Sequence, residues 1–270
     1  MRNFIILLKK NLLEMIRNKR IIIFGLVFVA ISIISALTAK FLPELYKLLL
    51  GSMEMGDMYI VKEGTVADSY VQFIANMGEV TVLLVAIMFA STITKEKTTG
   101  TYQTLKMNGV KDHEIVLSHF VAQVFLVTLS YILSVAALVV LNILFFNQIM
   151  GLRGFVVLIY IYLLLLVTIG FSLLSSCICK KSGKSYLVVI LSYFGFMILD
   201  LVPRINKVNP FHLLTISTEL MYTEAYVLKD HLLTSLSSFG IIIILVILSL
   251  LFVKNRINNK REIMNEEHNV

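Results

Sequence analysis

Six apolar runs, parted by short charged stretches, are the feature that most limits what this chain can fold into. They cover about 21–37, 78–94, 115–146, 155–178, 186–202 and 233–253. A helix satisfies its backbone N–H and C=O groups within itself, so such runs can enter lipid. About 20 apolar residues suffice to cross the hydrocarbon core. The second and fifth runs are short and are expected to draw on flanking residues. The third, at 1.5 Å per residue, would reach roughly 48 Å and project beyond the core. Composition agrees: 58% of residues are hydrophobic and 15% charged, against about a quarter charged in soluble domains. The expected fold is an all-α integral membrane protein with six transmembrane helices, an N-terminal interfacial amphipathic helix and short outer re-entrant helices.

Basic residues set the expected orientation. With a cytoplasmic N-terminus, segments 1–20, 95–114, 179–185 and 254–270 lie inside, and they hold 17 of the 24 Lys and Arg but 7 of the 17 Asp and Glu. That bias places both ends in the cytoplasm of a multi-pass cell-membrane protein. It also explains the net charge of +7 without nucleic acid as a partner, because the cations flank apolar runs. Residues 1–20 read as a cytoplasmic interfacial helix. Met1, Phe4, Ile5, Leu8, Leu12, Met15 and Ile16 share one face, with Asn3, Lys10, Glu14, Arg17 and Asn18 opposite. Residues 21–253 form the six-span domain, with a cytoplasmic loop at 95–114 and outer loops at 38–77 and 203–232. A cytoplasmic tail fills 254–270. In the second outer loop Asn209-Pro210 fits a cap and first helical position, so a short helix from Phe211 to Tyr222 is expected at the outer interface.

Motifs for chemistry are absent or broken. Gly183-Lys184-Ser185 ends like a phosphate-binding loop, but Ile178 stands where that motif needs its first Gly. His113-Glu114 begins like a zinc-protease helix, but Leu117 occupies the second His position, and His119 lies about 120° round the helix. Cys177 and Cys179 read as reduced thiols with no further metal ligand nearby. No catalytic, metal or cofactor site is expected in this chain. The middles of the spans hold almost no ionisable residue, which argues against a proton relay.

The informative stretch lies between the second and third runs. It reads Glu96-Lys97-Thr98-Thr99-Gly100-Thr101, continues through Tyr102 and Leu105 to Gly109-Val110, and starts a new helix that Asp112 can cap. A helix-turn-helix of about 20 residues between two spans suits the docking of a partner, with apolar anchors filling a groove. The pattern Glu96-Lys97-x-x-Gly100-Thr101-x-x-x-Leu105 followed by Gly109-Val110 resembles the loop of ABC type 2 permeases, the membrane subunits of ATP-driven exporters. The amphipathic start ending Arg17-Asn18-Lys19-Arg20, the six runs and Asn209-Pro210-Phe211 extend the resemblance over the whole chain. A large folded outer domain, present in bigger relatives after the first span, is missing.

The resemblance implies an ABC ATPase on the cytoplasmic face, binding ATP and Mg in a separate chain. It also implies a second permease copy, as homodimer or heterodimer. Glu96, Lys97, Gly100, Thr101, Leu105 and Val110 would couple the ATPase to the spans. The substrate path would run along spans two and five, with Met88, Ser91, Thr92, Ser192, Tyr193 and Phe196 lining it. Such a lining suits a peptide, an antibiotic or a lipid-like molecule. A self-contained channel or carrier, and an immunity protein that binds a toxin without moving it, are the other readings the sequence leaves open.

Overall fold

The computed structural model describes residues 2–51, 63–222 and 228–268; at residues 2, 49–51, 228–231 and 254–268 it describes the backbone alone. Helices α1 (Arg2–Arg17) and α2 (Arg20–Gly51) are followed by the second span, built in pieces. These are α3 (Val66–Asn76), a π turn (Met77–Thr81), α4 (Val82–Phe89) and α5 (Thr92–Thr98). Then come α6 (Thr101–Met107), α7 (Asp112–Phe146), α8 (Leu152–Ile178), α9 (Ser182–Asp200), a 3-10 turn (Asn206–Val208), α10 (His212–Tyr222) and α11 (Leu228–His268). No strand occurs among the described residues, and six helical stretches there are long and apolar enough to cross a membrane.

The first two spans are longer than their apolar runs. α2 continues through Pro43 to Gly51, and helix resumes at Val66. The expected connection 38–77 is therefore helical over 38–51 and 66–77, and its residues 52–62 lie outside the described residues. Local chemistry sets the restart: the Thr65 amide donates to Asp68 Oδ2 at 2.8 Å and the Asp68 amide to Thr65 Oγ1 at 3.3 Å. That reciprocal pair caps α3. The short helix expected near Phe211 is present as α10. Its entry differs from the cap expected at Asn209: the Asn209 side chain accepts from the Phe211 amide at 3.1 Å and donates to the Phe196 carbonyl at 2.7 Å. Asn209 thus ties the turn to α9, and helix begins two residues after Pro210.

The span with the largest buried share is α8, and α9 has the smallest. α8 packs on α4, α7, α9, α10 and α11, while α2 lies along α7 and α1 crosses the start of α7. Lipid is as apolar as Leu, so helices in a membrane associate through packing and hydrogen bonds. Hydroxyls supply them here. Ser32 Oγ donates to the Ser134 carbonyl at 2.7 Å, and Ser134 Oγ to the Phe28 carbonyl at 2.8 Å, drawing α2 onto α7. Phe24 stacks on Phe89 with centroids 5.3 Å apart, which joins α2 to α4.

Candidate functional site

The loop after the second span folds as one unit. α5 and α6 are joined through Gly100 at φ +80°, and α6 ends at Gly109 with φ +78°. Both values lie in the left-handed region that side chains with a Cβ seldom adopt. The Val110 amide donates to the Leu105 carbonyl at 3.2 Å and the Gly109 amide to Lys106 at 3.0 Å, closing the C-terminal turn of α6. α7 starts with its Lys111 amide held by Glu114 Oε2 at 3.1 Å.

Polar side chains then fasten this unit to three other helices. Glu96 is nearly buried and accepts from Lys10 Nζ of α1 through one carboxylate oxygen. Its other oxygen lies 3.1 Å from His119 Nε2 of α7. Beside this cluster Asn11 Nδ2 of α1 donates to Ser118 Oγ at 3.0 Å. Lys97 Nζ donates to the Cys177 carbonyl at the end of α8 at 2.8 Å and sits over the Tyr102 ring. Tyr102 donates its hydroxyl to Asp112 Oδ1 at 2.5 Å, and Lys106 pairs with Oδ2 of the same carboxylate at 3.1 Å. Burial, and then the adjoining Asp112 carboxylate, push the Tyr102 phenol well above its ordinary range, so it remains a donor. Beneath lies an apolar cluster of Leu7, Ile93, Tyr102, Ile115, Val116, Leu173, Cys177 and Val253, with Leu105 and Val110 packed against it.

Of the six loop residues singled out from sequence, Glu96, Lys97, Leu105 and Val110 face this stitched interior. Gly100 supplies the turn, and Thr101 Oγ1 lies 3.1 Å from Thr99 Oγ1. Leu105 and Val110 thus pack inward, whereas the exposed face of α6 is made of Gln103, Thr104, Met107 and Asn108. Met107 is 88% exposed. Sequence reasoning did not single out Met107, nor Lys10 and His119 as partners of Glu96. For His119 there was a signal: a lone ionisable group one turn inside an apolar span needs a partner.

The six residues expected along a path are divided. Ser192, Tyr193 and Phe196 converge on a small crevice that Val82, Ala86, Thr168, Phe171, Val189 and Phe211 complete. Phe196 lies parallel to Phe211 at 6.2 Å and against Phe171 at 4.8 Å, and Tyr193 donates to the Gly78 carbonyl at 3.2 Å. Met88, Ser91 and Thr92 are not part of that lining. At 100° per residue Met88 points 200° away from Ala86. Ser91 instead meets the Tyr186 hydroxyl at 2.7 Å, and Thr92 Oγ1 accepts from Gln123 Nε2 at 3.3 Å.

A family model described as ABC-2 family transporter protein matches residues 56–254. No curated protein matches the sequence.

Proposed function

The chain belongs to the ABC-2 family of transporter proteins and is a permease subunit of that family, and from that premise we propose that it moves an amphipathic substrate across the membrane while a separate ATPase subunit hydrolyses ATP. The ATPase binds ATP and Mg and docks on the 95–114 loop from the cytoplasmic side. Two permease copies pair in the membrane, and in each the crevice of Ser192, Tyr193 and Phe196 on α9 forms the wall of a path. The aromatic and hydroxyl character of that wall suits a peptide, an antibiotic or a lipid-like molecule.

The observation that carries this reading is the division of labour in the loop. Its inward groups bind it to α1, α7 and α8, so a push on α6 reaches three helices at once. Its outward face offers Gln103, Thr104, Met107 and Asn108, with Met107 exposed as an apolar anchor. An anchor of this kind fills a pocket on a partner and concentrates the binding energy there. The positive-inside bias puts this face in the cytoplasm.

The test is co-purification of an ATPase after mild detergent extraction. Met107→Asp is expected to weaken that association by about ten- to a hundredfold with the monodispersity and unfolding midpoint of the permease unchanged. Transport by the purified chain alone, with no ATPase and no ATP, would establish the self-contained carrier instead.

A further inference from the structure

The second span is interrupted at Ala90–Ser91, and hydroxyls from two neighbouring spans occupy the gap. α4 ends at Phe89, and α5 begins at Thr92. Ser91 sits at φ −114° and ψ 12°, outside helical geometry. A new helix start leaves its first amides without intrahelical acceptors. Here the Ile93 and Thr94 amides both donate to Ser176 Oγ of α8, at 2.7 and 3.0 Å. The Thr94 hydroxyl returns a bond to the Ser176 carbonyl at 2.8 Å. On the other side of the break Ser185 of α9 donates to the Ala90 carbonyl, and Ser91 meets Tyr186 of the same helix. Ser91, Thr94, Ser176 and Ser185 are all buried.

Bulk water does not reach these groups, so the break is stable only while the hydroxyls hold it. A buried N–H without a partner is costly. A hydroxyl is donor and acceptor at once and rotates freely, so it can pass from one backbone group to another as the helix turns. A continuous helix offers no such exchange. α7, which meets the break through Gln123 and Thr92, runs unbroken past it. α5 carries Glu96 and Lys97 directly into the loop, so motion of the loop is also carried along the second span to this break.

Resting on the reading that an ATPase drives the loop, we propose that Ala90–Ser91 is a pivot at which α5 turns against α4, with Ser176 and Ser185 as its exchangeable bearings. Ser176 and Ser185 are positioning residues: they act through the backbone of the second span.

Hydrogen–deuterium exchange on the full chain in lipid nanodiscs tests this without knowledge of the substrate. In the permease alone, Ser176→Ala is expected to speed exchange of amides 92–95 by about tenfold, leaving 82–89 and 115–130 as they are. Ser176→Thr, which keeps a hydroxyl, restores protection. In the complex with the ATPase, a non-hydrolysable ATP analogue is expected to change exchange at 91–95 by about fivefold or more and at 82–89 little. Ser176→Ala removes that nucleotide response and Ser176→Thr keeps it. Acceleration spread evenly over 66–98, or a nucleotide response that bypasses 91–95, overturns the pivot. If no ATPase associates, the functional reading fails, while the exchange pattern of the permease alone still decides whether the break is held by Ser176.

Discussion

Glu96 holds its carboxylate between a cation from α1 and an imidazole from α7, and the two partners are not equivalent. The Lys10 side chain is 35% exposed and the His119 side chain 3%. Without Glu96, Lys10 can turn to water, whereas His119 is left facing a vacated site inside the bundle. Removing one member of a buried polar pair costs more than the pair contributes, because the remaining group stays desolvated. Glu96→Ala is therefore expected to destabilise the permease by about 2–3 kcal/mol, and Lys10→Ala by less than about 1 kcal/mol. Glu96→Gln, which keeps an acceptor, should fall between them. Unfolding midpoints of the detergent-solubilised variants measure this order; equal losses for Lys10→Ala and Glu96→Ala would show that the exposed bond matters as much as the buried one. Glu96 was legible in the sequence because it opens a recognisable pattern of Glu, Gly and Thr. Its partners were not. Lys10 and His119 lie 86 and 23 positions away, and only the crossing of α1 over α7 brings them together.

Helices as elements are legible in the sequence where lipid dictates them and not where side chains from other helices interrupt them. The continuous spans follow from apolar length, since nothing else satisfies a backbone in lipid. The pieces of the second span do not, because its breaks are held by Ser176, Ser185 and Tyr193 on other helices. The face of α1 is legible only in part. Met15 is buried and Leu8 and Leu12 pack against the core, whereas Ile5 and Ile16 of the same expected face stay exposed, and Leu7 and Asn11, outside it, are buried. The π turn shows how closely such elements fit. Gly78 lies against Leu214 of α10, and a Cβ there would stand 2.5 Å from Leu214 Cδ1. Gly78→Ala is expected to cost about 1–3 kcal/mol by overpacking and to loosen α10. Leu214→Ala alone leaves a void, so the double variant should lose less than the two single losses added together. Unfolding of the four proteins in one detergent gives the cycle, and strict additivity would mean that Gly78 and Leu214 do not constrain each other.

At the scale of the whole molecule the open question is what covers α9, the least buried span. One side of it faces inward through Val189 and Tyr193. The opposite side carries Leu187, Leu191, Phe194 and Ile198, each at least half exposed. Their spacing of four, three and four residues sets them in one stripe, and Val188, Met197 and Leu199 widen the exposed apolar face on its two sides. Such a face suits lipid, and its central stripe also has the spacing that a facing helix needs. The proposed pairing of permeases supplies one: α9 of a second copy, which would set the two crevices containing Tyr193 and Phe196 on either side of a shared axis. Single cysteines at Leu191 or Ile198, in a chain with Cys177→Ala and Cys179→Ala, are then expected to form a copy-to-copy disulfide under mild oxidation in membranes. A cysteine at Ile132, equally exposed on α7, should not. Cross-linking at Ile132 with none along the α9 stripe would move the dimer axis to α7 and take the path residues of α9 away from it.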